Sequence, residues 1–547
     1  MKLKLFIGLA LAGLLISVVP AASGASPSPT VLTPPQIPGV PALPFTGEMA
    51  PTFTISTAIS NLNVTPDQGT TGTPMTISGQ TSMDSTVLTM VWSTASATWQ
   101  ADVEPNTVNY LGTSYSKFNV ILAQVTTSPT GSFSLSTTAP ADFGGTHDIY
   151  ALSGSTAVAH GGFELLRILK VSPRSGPVGT PITVTYTSMG ASLYTGGASV
   201  LWDNHYAGEM MANWTRGTAT VTIRAAGPPG VHYLSVGNAI SYMYLNVAQS
   251  PIPFTNGATV AFTVTPSVKL IAPYISWPAK VSPTLSEVTT LLPQQPSSLS
   301  ISLSSQAGPV LSKPTMSLSG LTPGTAYHIV FSTVVGNRVN CQSTCWSFSS
   351  IPMTTLTPTT PTISLPVTIP DNLGGFHVIQ VLSPAGDILA QAPYYVRESI
   401  LPFYSPSHQL LTMGVATADD SNSPSAIARA GAGTPTYTFK QGQEFTISIK
   451  GVGWTQLDNT LGVTYDNSYM GYGCGFNSNG YMVIHLHATG GPGLHVVDLY
   501  PMLYSLSPSF ANTPYGMVPV LSSARDFPGL ALGYAVPQMH FMIRVVR

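Results

Sequence analysis

The feature that most limits what this chain can fold into is a phrase that occurs four times: glycine, any residue, histidine, then alternating apolar residues. It reads Gly145-Thr-His147-Asp-Ile149, Gly230-Val-His232-Tyr-Leu234, Gly375-Phe-His377-Val-Ile379 and Gly493-Leu-His495-Val-Val497. Each copy follows a Pro/Gly-rich turn. Before the turn stands a strand-like run such as Thr220-Val-Thr-Ile223 or Val483-Ile-His-Leu486. A period-two run, a glycine turn and a second period-two run predict a β-hairpin. The expectation is one hairpin repeated in four related β-domains, and a repeat of this kind decides the fold class before local propensity does.

Two copies extend far beyond the hairpin. Residues 179–232 lie on 442–495 at a constant offset of 263 without a gap, and 14 of the 54 positions are identical. Among them are Gly190/Gly453, Val200/Val463, Asp203/Asp466, Asn204/Asn467, Tyr206/Tyr469, Gly208/Gly471 and Gly217/Gly480. Where the copies differ, apolar stays apolar at alternate positions: Val184, Val221 and Ile223 stand opposite Ile447, Ile484 and Leu486. Sandwich sheets keep their inner faces in this way while the outer faces drift.

At 547 residues the chain is too long for one core, and about three to five domains are expected. The reading is all-β: four tandem immunoglobulin-like β-sandwich domains after a signal peptide and a Pro-rich linker. The leader is 1–25, with Lys2 and Lys4, an apolar stretch and a small-residue exit. The linker is 26–53, and the domains are 54–168, 169–248, 249–398 and 399–547, the last with a long insertion at 504–534. No stretch after the leader reaches the length of an apolar membrane span. Linker residues Leu43-Pro-Phe-Thr-Gly47 match the sortase pentapeptide, but far from the C-terminal context that signal needs, so the match is read as chance.

Charged residues make up only 7% of the chain, against a usual level of about 25%. Ser, Thr, Gly, Asn, Gln and Tyr must form the solvated surface instead. With a net charge of −2, nothing attracts nucleic acid. The composition points to an exported protein at the cell surface or outside the cell.

A family resemblance attaches to particular residues. Val171-Ser-Pro-Arg-Ser-Gly176 followed by Gly179-Thr-Pro-Ile-Thr-Val184, the Trp202-Asp203-Asn204 turn and the closing Pro-x-Gly-x-His resemble the IPT/TIG-type immunoglobulin-like repeats of secreted bacterial and archaeal proteins. Val64 to Ile77 echoes the same opening. Leu318 to Tyr327 is similar to the tyrosine-corner segment of fibronectin-type sandwiches. The resemblance implies spacer, stalk and adhesive roles, and it supplies no catalytic residues.

The four repeated histidines, His147, His232, His377 and His495, belong to four different domains and cannot converge on one metal, so each is expected half-buried against a loop carbonyl. His485 and His487 share one strand face with His495 expected across the hairpin. Their counterparts Thr222 and Arg224 mark that face as outward and polar. Asp203 and Asp466, each followed by Asn, are read as Asx turns closing hairpins rather than calcium ligands. There is no G-x-S-x-G, H-E-x-x-H or P-loop pattern. Cys341 and Cys345 are expected to form a local disulfide, with Cys474 left over. No catalytic residue, metal or cofactor is assigned. The expected function is adhesion, display or scaffold assembly without catalysis. Its partners would be other surface proteins, glycans or further copies of the chain. The competing reading is a secreted carbohydrate- or substrate-binding accessory of a hydrolase system, and exposed coplanar rings on one domain face would favour it.

Overall fold

The computed structural model describes residues 53–104, 107–191, 196–212, 215–238, 245, 258–271, 274–276, 298–336, 346–400, 413–414, 437–454, 459–503, 518–522 and 536–547. The leader, the linker apart from its last residue Phe53, the Cys341–Cys345 pairing and most of the 504–534 insertion lie outside these residues.

The described chain is all-β and builds four sandwiches of related topology, the two halves of the first being joined through Thr54–Thr65, which pairs with both. In the second, Ile168–Ser172, Pro181–Thr187 and Ala219–Arg224 form a three-stranded sheet. Facing it is a five-stranded sheet ordered Ser175–Pro177, Thr259–Thr265, Gly230–Asn238, Gly197–Trp202, His205–Met211. The fourth repeats this order with Thr438–Lys440, Met539–Val546, Gly493–Leu503, Thr460–Tyr465 and Ser468–Cys474. Val184 pairs with Val221 inside one core, and Ile447, inside the other, pairs with Ile484 at its edge. The gapless sequence match is therefore a match of faces and register.

The hairpin expectation is corrected at all four sites. Ala219–Arg224 pairs with Pro181–Thr187, whereas Gly230–Asn238 pairs with Gly197–Trp202 and Thr259–Thr265. The turn between them carries the chain from one sheet to the other. The same crossing separates Ser132–Thr138 from Gly145–Ser153, Thr362–Pro366 from Gly375–Leu382, and Met482–His487 from Gly493–Leu503. Alternation with a glycine turn describes two strands that bury apolar faces in a common core. It does not say whether they reach that core from one sheet or from opposite sheets.

The sandwiches are coupled in pairs by an elbow that occurs twice. Gly144 N–H donates to the Met189 carbonyl at 2.8 Å, and Gly374 N–H donates to the Val452 carbonyl at 2.8 Å. Met189 and Val452 are related by the offset of 263, as are Gly217 and Gly480, which pack beneath the Asp142 and Asn372 carbonyls. The chain is thus two copies of a two-sandwich unit. Trp454 reinforces the second elbow by donating from Nε1 to the Phe376 carbonyl at 2.9 Å.

Candidate functional site

Each repeated histidine sits where the chain enters the five-stranded sheet, and each stacks on an aromatic ring of the adjacent strand. The pairs are His147 on Trp92, His232 on Trp202, His377 on Phe331 and His495 on Tyr465. All four are buried rather than half-buried, and both ring nitrogens are engaged. His147 lies 3.0 Å from the Ser93 carbonyl and 2.6 Å from that of Phe143. His377 lies 3.0 Å from the carbonyls of both Ser332 and Gly374.

In the second and fourth sandwiches one carbonyl is replaced by a carboxylate. His232 Nδ1 meets Asp203 Oδ2 at 2.5 Å and Nε2 meets the Pro228 carbonyl at 2.8 Å. His495 meets Asp466 Oδ2 at 2.6 Å and the Gly491 carbonyl at 2.8 Å. Asp203 and Asp466 do sit in two-residue turns with Asn204 and Asn467, all four at positive φ, as type I′ hairpins require. The carboxylates also tie down the histidine strand, since Oδ1 accepts from Tyr233 N–H and Val496 N–H respectively. The sequence reading treated the aspartates and histidines separately; the shared spacing of 29 residues was the available signal. Burial pushes the His377 pKa down to about 4, against the pull of the Ser332 and Gly374 carbonyls. Burial also lowers that of His495, but the hydrogen bond and charge of Asp466 outweigh it and leave it raised.

The second polar assembly lies where the second sandwich meets the outer face of the fourth, and sequence reading missed it. Arg224 donates to the Gly179 carbonyl at 3.2 Å and to the Tyr274 hydroxyl, and its guanidinium lies over the Tyr274 ring at 5.2 Å. Its Nε is 3.8 Å from Asp498 Oδ1, which in turn meets His540 Nδ1 at 2.5 Å. Tyr500 is enclosed beside them; burial first, then the Asp498 charge, raise its pKa well above the usual value. Arg224, expected on an outward polar face, is therefore buried between sandwiches. Its counterpart strand in the fourth sandwich does face outward at His485, 2.8 Å from Glu444. His495 belongs to the opposite sheet from His485 and His487.

Asp498 and His540 have no exposed surface. The arrangement is a clamp. Leu494, Val496, Tyr500 and Met542 of the fourth sandwich lie in one core cluster with Val178, Ile182, Val221 and Ala225 of the second.

The described part of the insertion, 518–522, completes the clamp as a strap. Val518 and Pro519 pair with Leu503 and Met502 of the fourth sandwich. Leu521 N–H then donates to the Glu209 carbonyl at 2.8 Å, and Met211 N–H donates to Ser522 Oγ at 2.6 Å. Bridges Glu209–Val520 and Val221–Ser522 join the strap to both sheets of the second sandwich. Among the described residues no group of three or more His, Cys, Asp or Glu side chains is placed to hold a metal ion. Cys474 is exposed and in no disulfide.

No family model matches the chain, and no curated protein matches it. Among solved structures it is similar to the Escherichia coli adhesin FdeC, at 10% identity and a TM-score of 0.15 over 64% of this chain and 99% of that one. A four-domain ICAM-5 ectodomain fragment gives 11% identity and 0.15 over 81% and 95%. E. coli α2-macroglobulin gives 9% and 0.16 over 88% of this chain, which spans 30% of that one. Overlaps this low carry no functional weight.

Proposed function

We propose that this chain is an exported scaffold or display protein of the cell surface, acting by shape and contact rather than by catalysis. The observation that carries the reading is the clamp. A common core, a buried Arg224–Asp498–His540 chain and a strap lock the second sandwich to the fourth, while two equivalent elbows fix the first and third. Independent binding modules on linkers need none of this, because inter-domain motion is the default for weakly coupled domains. A surface with few charges also suits close packing against neighbours in media of varying salt and acidity.

The glycan-binding alternative called for several rings on one face. Among the residues whose side chains are described, the large exposed rings are Tyr233, Phe348 and Tyr472, each on a different sandwich. The test is made on cells. An epitope-tagged chain should be reached by external protease on intact cells, and deleting the gene should weaken attachment of cells to surfaces or to one another. Retention inside the cell, or unchanged attachment, would sink the reading.

A further inference from the structure

The strap occupies a site that the repeat has made twice. Its docking strand in the second sandwich, His205–Met211, is the last strand of its sheet, and so is the counterpart Ser468–Cys474 in the fourth. The equivalence is detailed. Both strands carry a bulge at the same place, between Val200 and Leu201 in one register and Val463 and Thr464 in the other. Both place a positive-φ glycine there, Gly208 and Gly471. Yet Ala207, Glu209 and Met211 are each 1% exposed, whereas their counterparts Met470 and Tyr472 are 60% and 43% exposed and Cys474 is exposed too.

The difference is the strap. A Cβ built on Gly208 would fall 2.7 Å from the Pro519 carbonyl and 2.9 Å from Leu521; one built on Gly471 meets nothing within 4 Å among the described residues. The opposite wall shows the same contrast. Val221 and Ile223 are fully buried, while their counterparts Ile484 and Leu486 are only partly covered at the edge of their core. An exposed edge with large apolar side chains invites strand addition, and proteins ordinarily blunt such edges with charge or proline. Ser468–Cys474 has neither.

We propose that this edge of the fourth sandwich is a second strap site, open in the free chain, that takes an extended uncharged apolar segment of a partner protein. The chemistry of the occupant is read from the filled copy. Val518-Pro-Val-Leu-Ser522 has no charge, two valines, a leucine that fills the space beside the bulge glycine, and a small hydroxyl residue where the backbone comes close. Main-chain bonding gives such an addition its affinity, and alternate side chains give it selectivity. The site adjoins the existing clamp, since Tyr206 and Tyr469 already meet edge-to-face at 6.3 Å where the two strands begin. The proposal rests on the scaffold reading for its class of partner.

The probe is a fluorescein-labelled peptide of residues 517–523, titrated into the full chain and followed by anisotropy. Saturable binding is expected, absent with a scrambled peptide and weakened by about tenfold or more in the exposed-site variants Met470→Asp and Tyr472→Asp. A second readout needs no variant of the protein. The same peptide carrying Ser522→Cys as an activated disulfide should couple to Cys474, which occupies the counterpart of Met211, faster than its scrambled form. No saturable binding overturns the proposal, as does binding that the two variants leave unchanged, since the peptide would then be displacing the strap from the second sandwich. Coupling to Cys474 at the scrambled rate overturns it as well. None of these failures bears on whether the protein reaches the cell surface.

Discussion

Two of the buried histidines, His377 and His495, make opposite demands on the proton. His377, fully enclosed, has its folded pKa pushed to about 4 from an unfolded value near 6.5. The unfolded chain therefore binds the proton first as pH falls. The third sandwich should lose stability between pH 6.5 and 4, by about 3 kcal/mol at most. His495 has a raised folded pKa, so its contribution is complete below pH 6.5 and is lost as pH rises through that folded value. Hydrogen-exchange protection followed sandwich by sandwich from pH 4 to 8 should show these opposite slopes, and His377→Gln should flatten the acid limb of the third sandwich alone. A common slope in both would contradict the two environments. The turn glycines are bound to the same rings. A Cβ on Gly490 would sit 2.5 Å from His495 Cε1, at a φ of +89°. Gly490→Ala should cost about 1–3 kcal/mol, read from thermal unfolding, and an unchanged melt would mean that the ring is free to move aside.

At the scale of elements the strap carries the sharpest expectation. Leu521 is fully enclosed in the core that the second and fourth sandwiches share. Leu521→Ala should cost about 2–5 kcal/mol, with protection lost first in the second sandwich at His205–Met211 and Ala219–Arg224. Protection lost only in the fourth would show that the strap serves its own sandwich instead. This element also marks the limit of what the sequence discloses. Alternation at Val184, Val221 and Ile223 and the gapless offset were enough to read β-sandwiches and their inner faces, because burial of one strand face leaves a local trace. The sheet crossing before each Gly-x-His strand and the strap leave no such trace. They depend on which distant segment arrives, and period-two patterning is silent on that. A signal did exist at the clamp: Asp498 and His540 each interrupt an apolar run at an outward position, which is costly unless that face is covered.

For the whole molecule, rigidity depends on close backbone approaches at the elbows. A Cβ on Gly144 would fall 1.8 Å from the Ser188 carbonyl, and one on Gly374 would fall 1.6 Å from that of Gly451. Either Gly→Ala change should open its elbow and lengthen the particle in small-angle scattering, while the melting of each sandwich changes little. An unaltered scattering profile would rule the elbows out as the source of stiffness. The shared core has a further consequence, one of timing. Ribosomes deliver a chain from its N-terminal side onward. Domains ordinarily fold in that order as they emerge. Here the second sandwich needs Leu494, Val496, Leu521 and Met542 to close its interior, so its maturation waits for the fourth sandwich to emerge. A nascent intermediate stalled before that point exposes a half-built apolar wall, which must be shielded until the fourth sandwich follows.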